Sequence, residues 1–377
     1  MEEMTKTKSG SVKRILVAAL ALTLIVLAVL AFLLRDSLSA GGLRRFLVGG
    51  EAPHAAGEAF SYEMGSGQVF RLAGDGLAVA SGTGLQLLDA DGYTAAKQIF
   101  ALETPAVAAS GVLSAFYDVG GTTLRVAWPD GRCESLPVSG DILSVTVNAA
   151  GYLAVSTEAT TGYKGLVRVY NPRLEPLYEW YSGTGYLLTA RVSSDGRSLV
   201  ASSLTAEGSV LHFFSLGSED EQARFLAEDE LILEFDYLTD GRMAAVTENR
   251  LILLDGTGRE TSSYDFDGMY LTDYQISGDF ATVFLSRYRS GSAGVLVNIG
   301  PDGSVLGSLE LERDPLSLSA AGRRLLVLYG DGLVLYSQAL EEQMNYGDTL
   351  GVKSVLLRPR GGALLLSGYS AELLALS

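Results

Sequence analysis

The stretch YLTDGRMAAVTENRLILLDGTGRE, Tyr237 to Glu260, reads turn, short apolar run, turn, short apolar run, turn. Asp-Gly between two short runs signals a hairpin, because it supplies residues that tolerate positive φ. Whether this is one hairpin or one copy of a repeat decides the fold. The segment LILLDGTG at 251–258 has relatives throughout the chain: LQLLDADG at 85–92, LRVAWPDG at 124–131, VRVYNPRL at 167–174, LHFFSLGS at 211–218, VLVNIGPDG at 295–303, LVLYSQAL at 333–340 and a truncated ELLALS at 372–377. Their first residues lie 39, 43, 44, 40, 44, 38 and 39 apart. A period near forty belongs to propeller blades.

Each copy keeps one internal order. An apolar run such as LILEFDY (231–237) comes first. A tight turn follows, Asp240-Gly241 here, Asp195-Gly196 earlier and Gly361-Gly362 later. Then come a second run (MAAV, 243–246), the LILLDGTG-type run, and a polar fourth run such as ETSSYDF (260–266). The runs are too short for helices and lack a 3.6-residue period. Four antiparallel strands per repeat make a blade, and radial stacking of blades buries faces that no blade can bury alone. The first three strands are expected inside and the polar fourth at the outer edge.

The last copy stops after its third strand, and EAFSYEM (58–64) precedes the first copy with no strands of its own to join. This segment is predicted to supply the missing fourth strand and close the ring. The expected fold is therefore all-β: an eight-bladed β-propeller of four-stranded antiparallel blades over residues 58–377, or seven blades if one weak copy is degenerate.

Ahead of it, Ile15 to Leu34 reads ILVAALALTLIVLAVLAFLL, with Thr23 as its one weakly polar member. At about 1.5 Å per residue this run spans roughly the 30 Å of a bilayer core. It exceeds the ~7–15 residues of a signal-peptide core, and the best cut, after Ala40, has Leu38 where a small residue is wanted. An uncleaved single-pass anchor is expected. Lys6, Lys8, Lys13 and Arg14 precede it; Arg35, Arg44 and Arg45 follow. The positive-inside rule narrowly places the basic tail 1–14 in the cytoplasm and the propeller outside it. Residues 35–57, Gly/Ala-rich and broken by Pro53, read as a linker.

The net charge is −16; residues 1–35 hold five basic and two acidic residues, leaving 23 basic and 42 acidic residues, a net −19, in the remainder. So acidic a body is unsuited to neutralising phosphates, so no nucleic-acid partner is expected. One cysteine, Cys133, excludes an internal disulfide framework and any multi-cysteine metal site. Two histidines, His54 in the linker and His212 mid-strand, are too few for an ordinary zinc or haem site and make a Ser-His-Asp triad improbable. There is no G-x-S-x-G elbow and no P-loop. Asp89-Ala90-Asp91-Gly92 hints at a calcium loop but lacks the further ligands, so a turn is the better reading. No metal, cofactor or catalytic residue is expected.

The D-x-D-G and D-x-T-G turns after apolar strands (Asp89–Gly92, Asp255–Gly258) resemble repeats of quinoprotein-like and WD-type propellers, although the docking tryptophan and the WD dipeptide are missing. The layout RDSLSAGGLRRF, GEAFSYE, GDGLAVASGTGLQLLDADG, PAVAASG and YDVGGTTLRV, preceded by a basic tail and an apolar run, resembles an uncharacterised family of membrane-anchored bacterial propellers, domain of unknown function 5711. The resemblance implies fold and topology and carries over no catalytic residue.

Loops between second and third strands, and between blades, form one face of a propeller. Here they are the long aromatic ones: TTGYKG (160–165), WYSGTGYLL (180–188), DGMYLT (267–272) and SRYRSGSAG (286–294). Tyr163, Trp180, Tyr181, Tyr186, Tyr270, Arg287, Tyr288 and Arg289 are the candidate binding residues, since aromatics and Arg combine contact area with directed polar tips. Each also has an ordinary explanation in blade packing or turn chemistry. The opposite face, with short Asp-Gly turns, has little to offer a ligand. The expectation is a non-enzymatic module that binds a protein, peptide or envelope polymer. The alternatives are a quinoprotein- or lyase-type enzyme, marked by acids and Arg converging in the channel around a metal, and a structural spacer in a membrane complex. The oligomeric state is left open.

Overall fold

The computed structural model describes residues 59–376, apart from 63, 64, 66, 290, 292 and 348. Among these residues the secondary structure is strand and turn, organised as eight separate four-stranded antiparallel sheets. In chain order the blades cover 69–99, 105–135, 142–182, 186–228, 232–265, 270–311 and 317–346; the eighth covers 354–374 and takes its fourth strand from the start of the chain. The chain thus folds as an eight-bladed propeller. The opening stretch sits in blade five, with Asp240-Gly241 between its first two strands.

Ring closure follows the sequence expectation. Ala59–Ser61 pairs with Ser370–Leu374, with Phe60 opposite Ala371, and the Tyr62 amide donates to the Tyr369 carbonyl at 3.0 Å. Phe60 and Tyr62 are buried with Leu364, Leu366 and Leu373 of blade eight and with Leu77, Val79 and Leu88 of blade one. One short strand therefore both completes a sheet and seals the joint between the chain ends.

The strand pattern explains the burial. Second and third strands are continuous apolar runs buried on both faces, as in Ala281–Ser286 and Arg250–Leu254. Fourth strands alternate, as in Glu260–Asp265, because a blade's rim meets water. First strands depart from the expectation: they are only partly buried and carry polar side chains among the apolar ones, because their free edges line the central channel. In blades three to six each first strand also contains a register shift, at Ile142/Ser144, Leu187/Thr189, Ile232/Glu234 and Leu271/Asp273. Such bulges re-aim neighbouring side chains.

The turns use the Asp and Gly residues as repeat punctuation. Asp255 Oδ1 accepts from the Thr257 and Arg259 amides at 2.9 and 3.1 Å, and Gly258 takes φ 76°. A Cβ on Gly258 would also meet the Phe213 ring at 2.9 Å. Asp89 Oδ1 likewise accepts from the Asp91 and Tyr93 amides, so the calcium-like sequence is a turn.

No helix among the described residues is long and apolar enough to cross a membrane. The expected anchor at 15–34, the basic tail and the linker with His54 lie outside the described residues.

Candidate functional site

In an antiparallel blade the starts of strands one and three and the ends of strands two and four share one face. Of the sixteen large hydrophobic side chains exposed among the described residues, twelve fall at or beside those ends, and three, Val112, Leu177 and Val305, lie at the opposite ends. The twelve include Tyr163, Tyr181, Tyr186, Tyr270 and Tyr288, together with Tyr369 in the corresponding loop of blade eight, which the sequence reading did not single out. The expected residues form two groups, not one. At the junction of blades three and four, the Tyr163 and Tyr181 rings meet at a tilt of 45° with centroids 5.1 Å apart, and the Lys164 ammonium lies 5.0 Å from the Tyr186 ring centroid. Two blades further round, Tyr270, Arg287, Tyr288 and Arg289 are exposed on blade six, with Arg287 paired to Glu310 at 2.7 Å.

Trp180 belongs to neither group. It lies in the fourth strand of blade three, partly buried against the core between blades three and four, with ring contacts to His212 at 4.9 Å and Phe214 at 5.0 Å. Strand alternation sends it inward while Tyr181 points out.

His212 is the centre of an arrangement that sequence spacing made improbable. Its Nε2 is 2.8 Å from Ser203 Oγ and its Nδ1 is 2.9 Å from Glu221 Oε1, across three adjacent strands of blade four. The order Ser–His–carboxylate matches a nucleophilic triad, but Ser203 is fully buried and His212 only 4% exposed. Burial holds the His212 pKa below its ordinary value, against the opposing pull of Glu221. A nucleophile that no substrate reaches is a packing device, so the constellation ties strands together. Cys133 is half-buried at the start of an outer strand, and burial pushes its thiol pKa up, away from the reactive thiolate.

The opposite face departs from expectation more clearly. At the turn ends of the first strands of blades three, four and five a cleft of about 220 Å³ opens, lined by Thr146, Asn148, Arg191, Ser194, Asp236 and Tyr237, among others. Arg191 reaches from blade four to blade five, placing Nη2 2.8 Å from Glu234 and Nη1 3.3 Å from Asp236. Asp273 of blade six stands in a partly buried setting that raises its carboxyl pKa, eased by its bond from the Tyr274 amide. Registers place Arg71, Thr146, Arg191, Asp236 and Gln275 at equivalent positions, opposite Ala78, Ala154, Val200, Ala244 and Thr282. The channel therefore carries a polar level that the loop-based reading missed. Its sequence signal, in four of the blades, is a polar residue four before the turn Asp: Arg71 before Asp75, Arg191 before Asp195, Asp236 before Asp240, Gln275 before Asp279.

Acids and Arg thus do converge in the channel, but the nearest acids are ion-paired to Arg191. Among the described residues no group of three His, Cys, Asp or Glu side chains is arranged to hold a metal ion.

This geometry is that of a propeller with a loop-rich aromatic face and a polar channel. Residues 59–287 match the model of a family of unknown function (DUF5711), and the chain belongs to that family. No curated protein sequence matches it. Similar solved structures include the C-terminal WD40 domain of Sif2, at 12% identity over 80% of this chain and 92% of that one, TM-score 0.59. BamB from Moraxella catarrhalis matches at 11% identity over 85% and 99%, TM-score 0.54. A chain of the mitotic checkpoint complex matches at 12% identity over 72% and 89%, TM-score 0.52. At such identities the likeness is one of fold.

Proposed function

We propose that this is a non-enzymatic propeller, tethered outside the cytoplasm by the apolar run 15–34, whose loop face binds a protein or peptide partner. The observation that carries the reading is the gathering of exposed large hydrophobic side chains, six tyrosines among them, on one face. Scattered exposed hydrophobics are ordinary on a protein surface; concentration on one face marks an interaction surface. Tyrosine suits such a surface because it gives large rigid contact area with a polar tip. Exposure leaves these rings little role in stabilising the fold. The likeness to a WD40 domain and to a chain of a multi-protein complex supports a binding scaffold. The 20-residue apolar run, with its excess of preceding Lys and Arg, supports the tether and its orientation.

The test is crosslinking on intact cells with the full chain and with a variant carrying Tyr186→Ser, Tyr270→Ser and Tyr288→Ser. Loss of the crosslinked partner, with the melting temperature unchanged, supports the face as the binding surface. A partner that crosslinks equally to both proteins refutes it. Trp180, being core, is left intact so that lost binding is not confused with lost packing.

A further inference from the structure

We propose that the loop-face mouth of the channel, over blades four to seven, docks a basic peptide segment of the partner, one that carries Lys or Arg beside Leu or aromatic side chains. The inference rests on the loop face being the binding surface; it adds which part of that face is used and by what chemistry.

The apolar part is an arc set by strand order. First strands line the channel, so the residue at or just before the start of each one stands on the channel rim at the loop face. In blades four to seven that residue is Tyr186, Leu231, Tyr270 and Leu316, exposed by 65, 39, 46 and 57%. In blades eight, one, two and three it is Lys353, Gln68, Thr104 and Asp141, and none of these is a large hydrophobic residue. Leu233 widens the arc in blade five. The register shift between Ile232 and Glu234 leaves it without a cross-strand partner, and it is 43% exposed while Ile232 beside it is buried. Four consecutive blades thus offer an open half-ring of aliphatic and aromatic side chains, a feature that marks a docking surface.

The charge around the arc decides the occupant. The loops within and between blades four to seven at this end (206–207, 229–231, 248–249, 266–269, 287–293, 312–316 and 330–331) hold eight acids against three arginines. Arg287 is already paired with Glu310 and Arg313 with Asp331. Arg250, in the adjoining strand, is held by Glu230 and Glu260 at 2.9 and 3.1 Å. Glu207, Asp229, Asp267 and Glu312 are exposed and have no ion-pair partner among the described residues. Three of them sit in the crossovers that lead into the arc: Asp229 before Leu231, Asp267 before Tyr270 and Glu312 before Leu316. Glu207 adjoins the first, its carbonyl accepting from the Asp229 amide at 2.8 Å.

Occupants of other chemistry meet a penalty here. An acidic or phosphate-bearing segment brings like charges. A second copy of this chain in a two-fold contact would set the same acids against themselves. An uncharged apolar segment would cover the leucines but strip water from carboxylates that it cannot pair. A segment mixing Lys or Arg with Leu or aromatic residues answers both demands: its apolar side chains cover the arc and its cationic tips reach the carboxylates. The Tyr186 and Tyr270 rings also suit a cation over their faces, a contact that Lys164 already makes with Tyr186.

The test is selection of a random peptide library displayed on phage against the full chain in non-ionic detergent, followed by fluorescence-anisotropy titration of the strongest selected peptide. Enrichment of peptides that combine Lys or Arg with Leu or aromatic residues is expected. Leu231→Ser with Leu316→Ser should weaken the titrated peptide about tenfold or more, because two covered leucines lose their burial. Glu207→Gln, Asp229→Asn and Asp267→Asn together should weaken it at least about threefold and flatten its loss of affinity between about 50 and 500 mM salt. Asn is chosen at 229 and 267 because both hold positive φ, 55° and 50°, which Asn tolerates. All five positions are exposed, so an unchanged melting temperature is the folding control. The proposal is overturned if no peptide is enriched, if the enriched peptides are acidic or uncharged, if the leucine variant binds as well as the unaltered chain, or if affinity ignores salt. Acidic or uncharged peptides that are lost in the Tyr186, Tyr270 and Tyr288 variant would refute the chemistry and leave the loop face standing. Selected peptides that bind that variant undiminished would count against the loop face itself.

Discussion

Phe60→Ala tests whether a three-residue strand really holds the ring shut. Phe60 is 6% exposed and packs in the cluster shared by blades eight and one. Its ring also lies against Gly92, where a Cβ would approach it to 2.6 Å, so the chain has kept that position bare for it. Phe→Ala in a core costs about 3–5 kcal/mol. The strand has an open outer edge through which the site relaxes, so the lower end, about 3 kcal/mol, is expected. Over a propeller spanning residues 59–376, an unfolding entropy of ~2.1 cal/mol/K per residue turns that into a fall in Tm of about 4–5 °C. Scanning calorimetry measures the shift. Hydrogen exchange locates it: amides of Ser370–Leu374, the strand that Ala59–Ser61 covers, should lose protection before those of Met243–Thr247 in blade five. Ser61→Ala, on the exposed side of the same strand, should change neither. A Tm within about 1 °C of the unaltered protein, or unchanged exchange in Ser370–Leu374, would show that the ring does not depend on this closure.

Buried His212 favours its neutral form, because burial lowers its folded pKa. The unfolded chain then binds the extra proton first, so stability contributed by His212 is complete above pH ~6.5 and declines as pH falls toward the lowered folded value. Denaturant titrations from pH 8 to pH 5 should show this loss, and Ser203→Ala with Glu221→Gln should alter it; an unchanged profile refutes the assignment. Asp273 has the opposite sign: its folded pKa is raised by burial, so its ionisation opposes folding at neutral pH. Asp273→Asn should therefore raise Tm at pH 7, with the gap closing as pH falls through the raised folded pKa toward the unfolded value near 3.8, and a gap independent of pH would sink this account. Gly258→Ala should destabilise the protein by about 1 kcal/mol or more, from the positive φ and the Phe213 ring together, whereas Gly256→Ala, with open space around it, should cost less. Equal effects on Tm would show that the turn geometry is not what constrains residue 258.

The sequence by itself determined the architecture. A blade is a local object: its strands are consecutive, its turns are spelled by Asp and Gly, and its fourth strand is polar because it faces water. Eight copies at a period near forty, the last one short, led to the blade count and to the closing strand at residues 59–61. The loop face was legible too, since which strand ends share a side follows from antiparallel order alone. What only the tertiary structure decided concerns side chains whose partners come from another blade. Trp180 and Tyr181 are neighbours in sequence; strand alternation puts them on opposite faces, and packing against His212 and Phe214 decides which of the two faces is the inner one. Ser203, His212 and Glu221 look scattered until the register of three strands aligns them. Arg191 and Asp236 lie 45 residues apart and meet only because blades four and five turn their first strands toward a common axis. Repetition makes a fold readable from local pattern, whereas a channel is built from one residue per repeat, and convergence about an axis is a property of the closed ring alone.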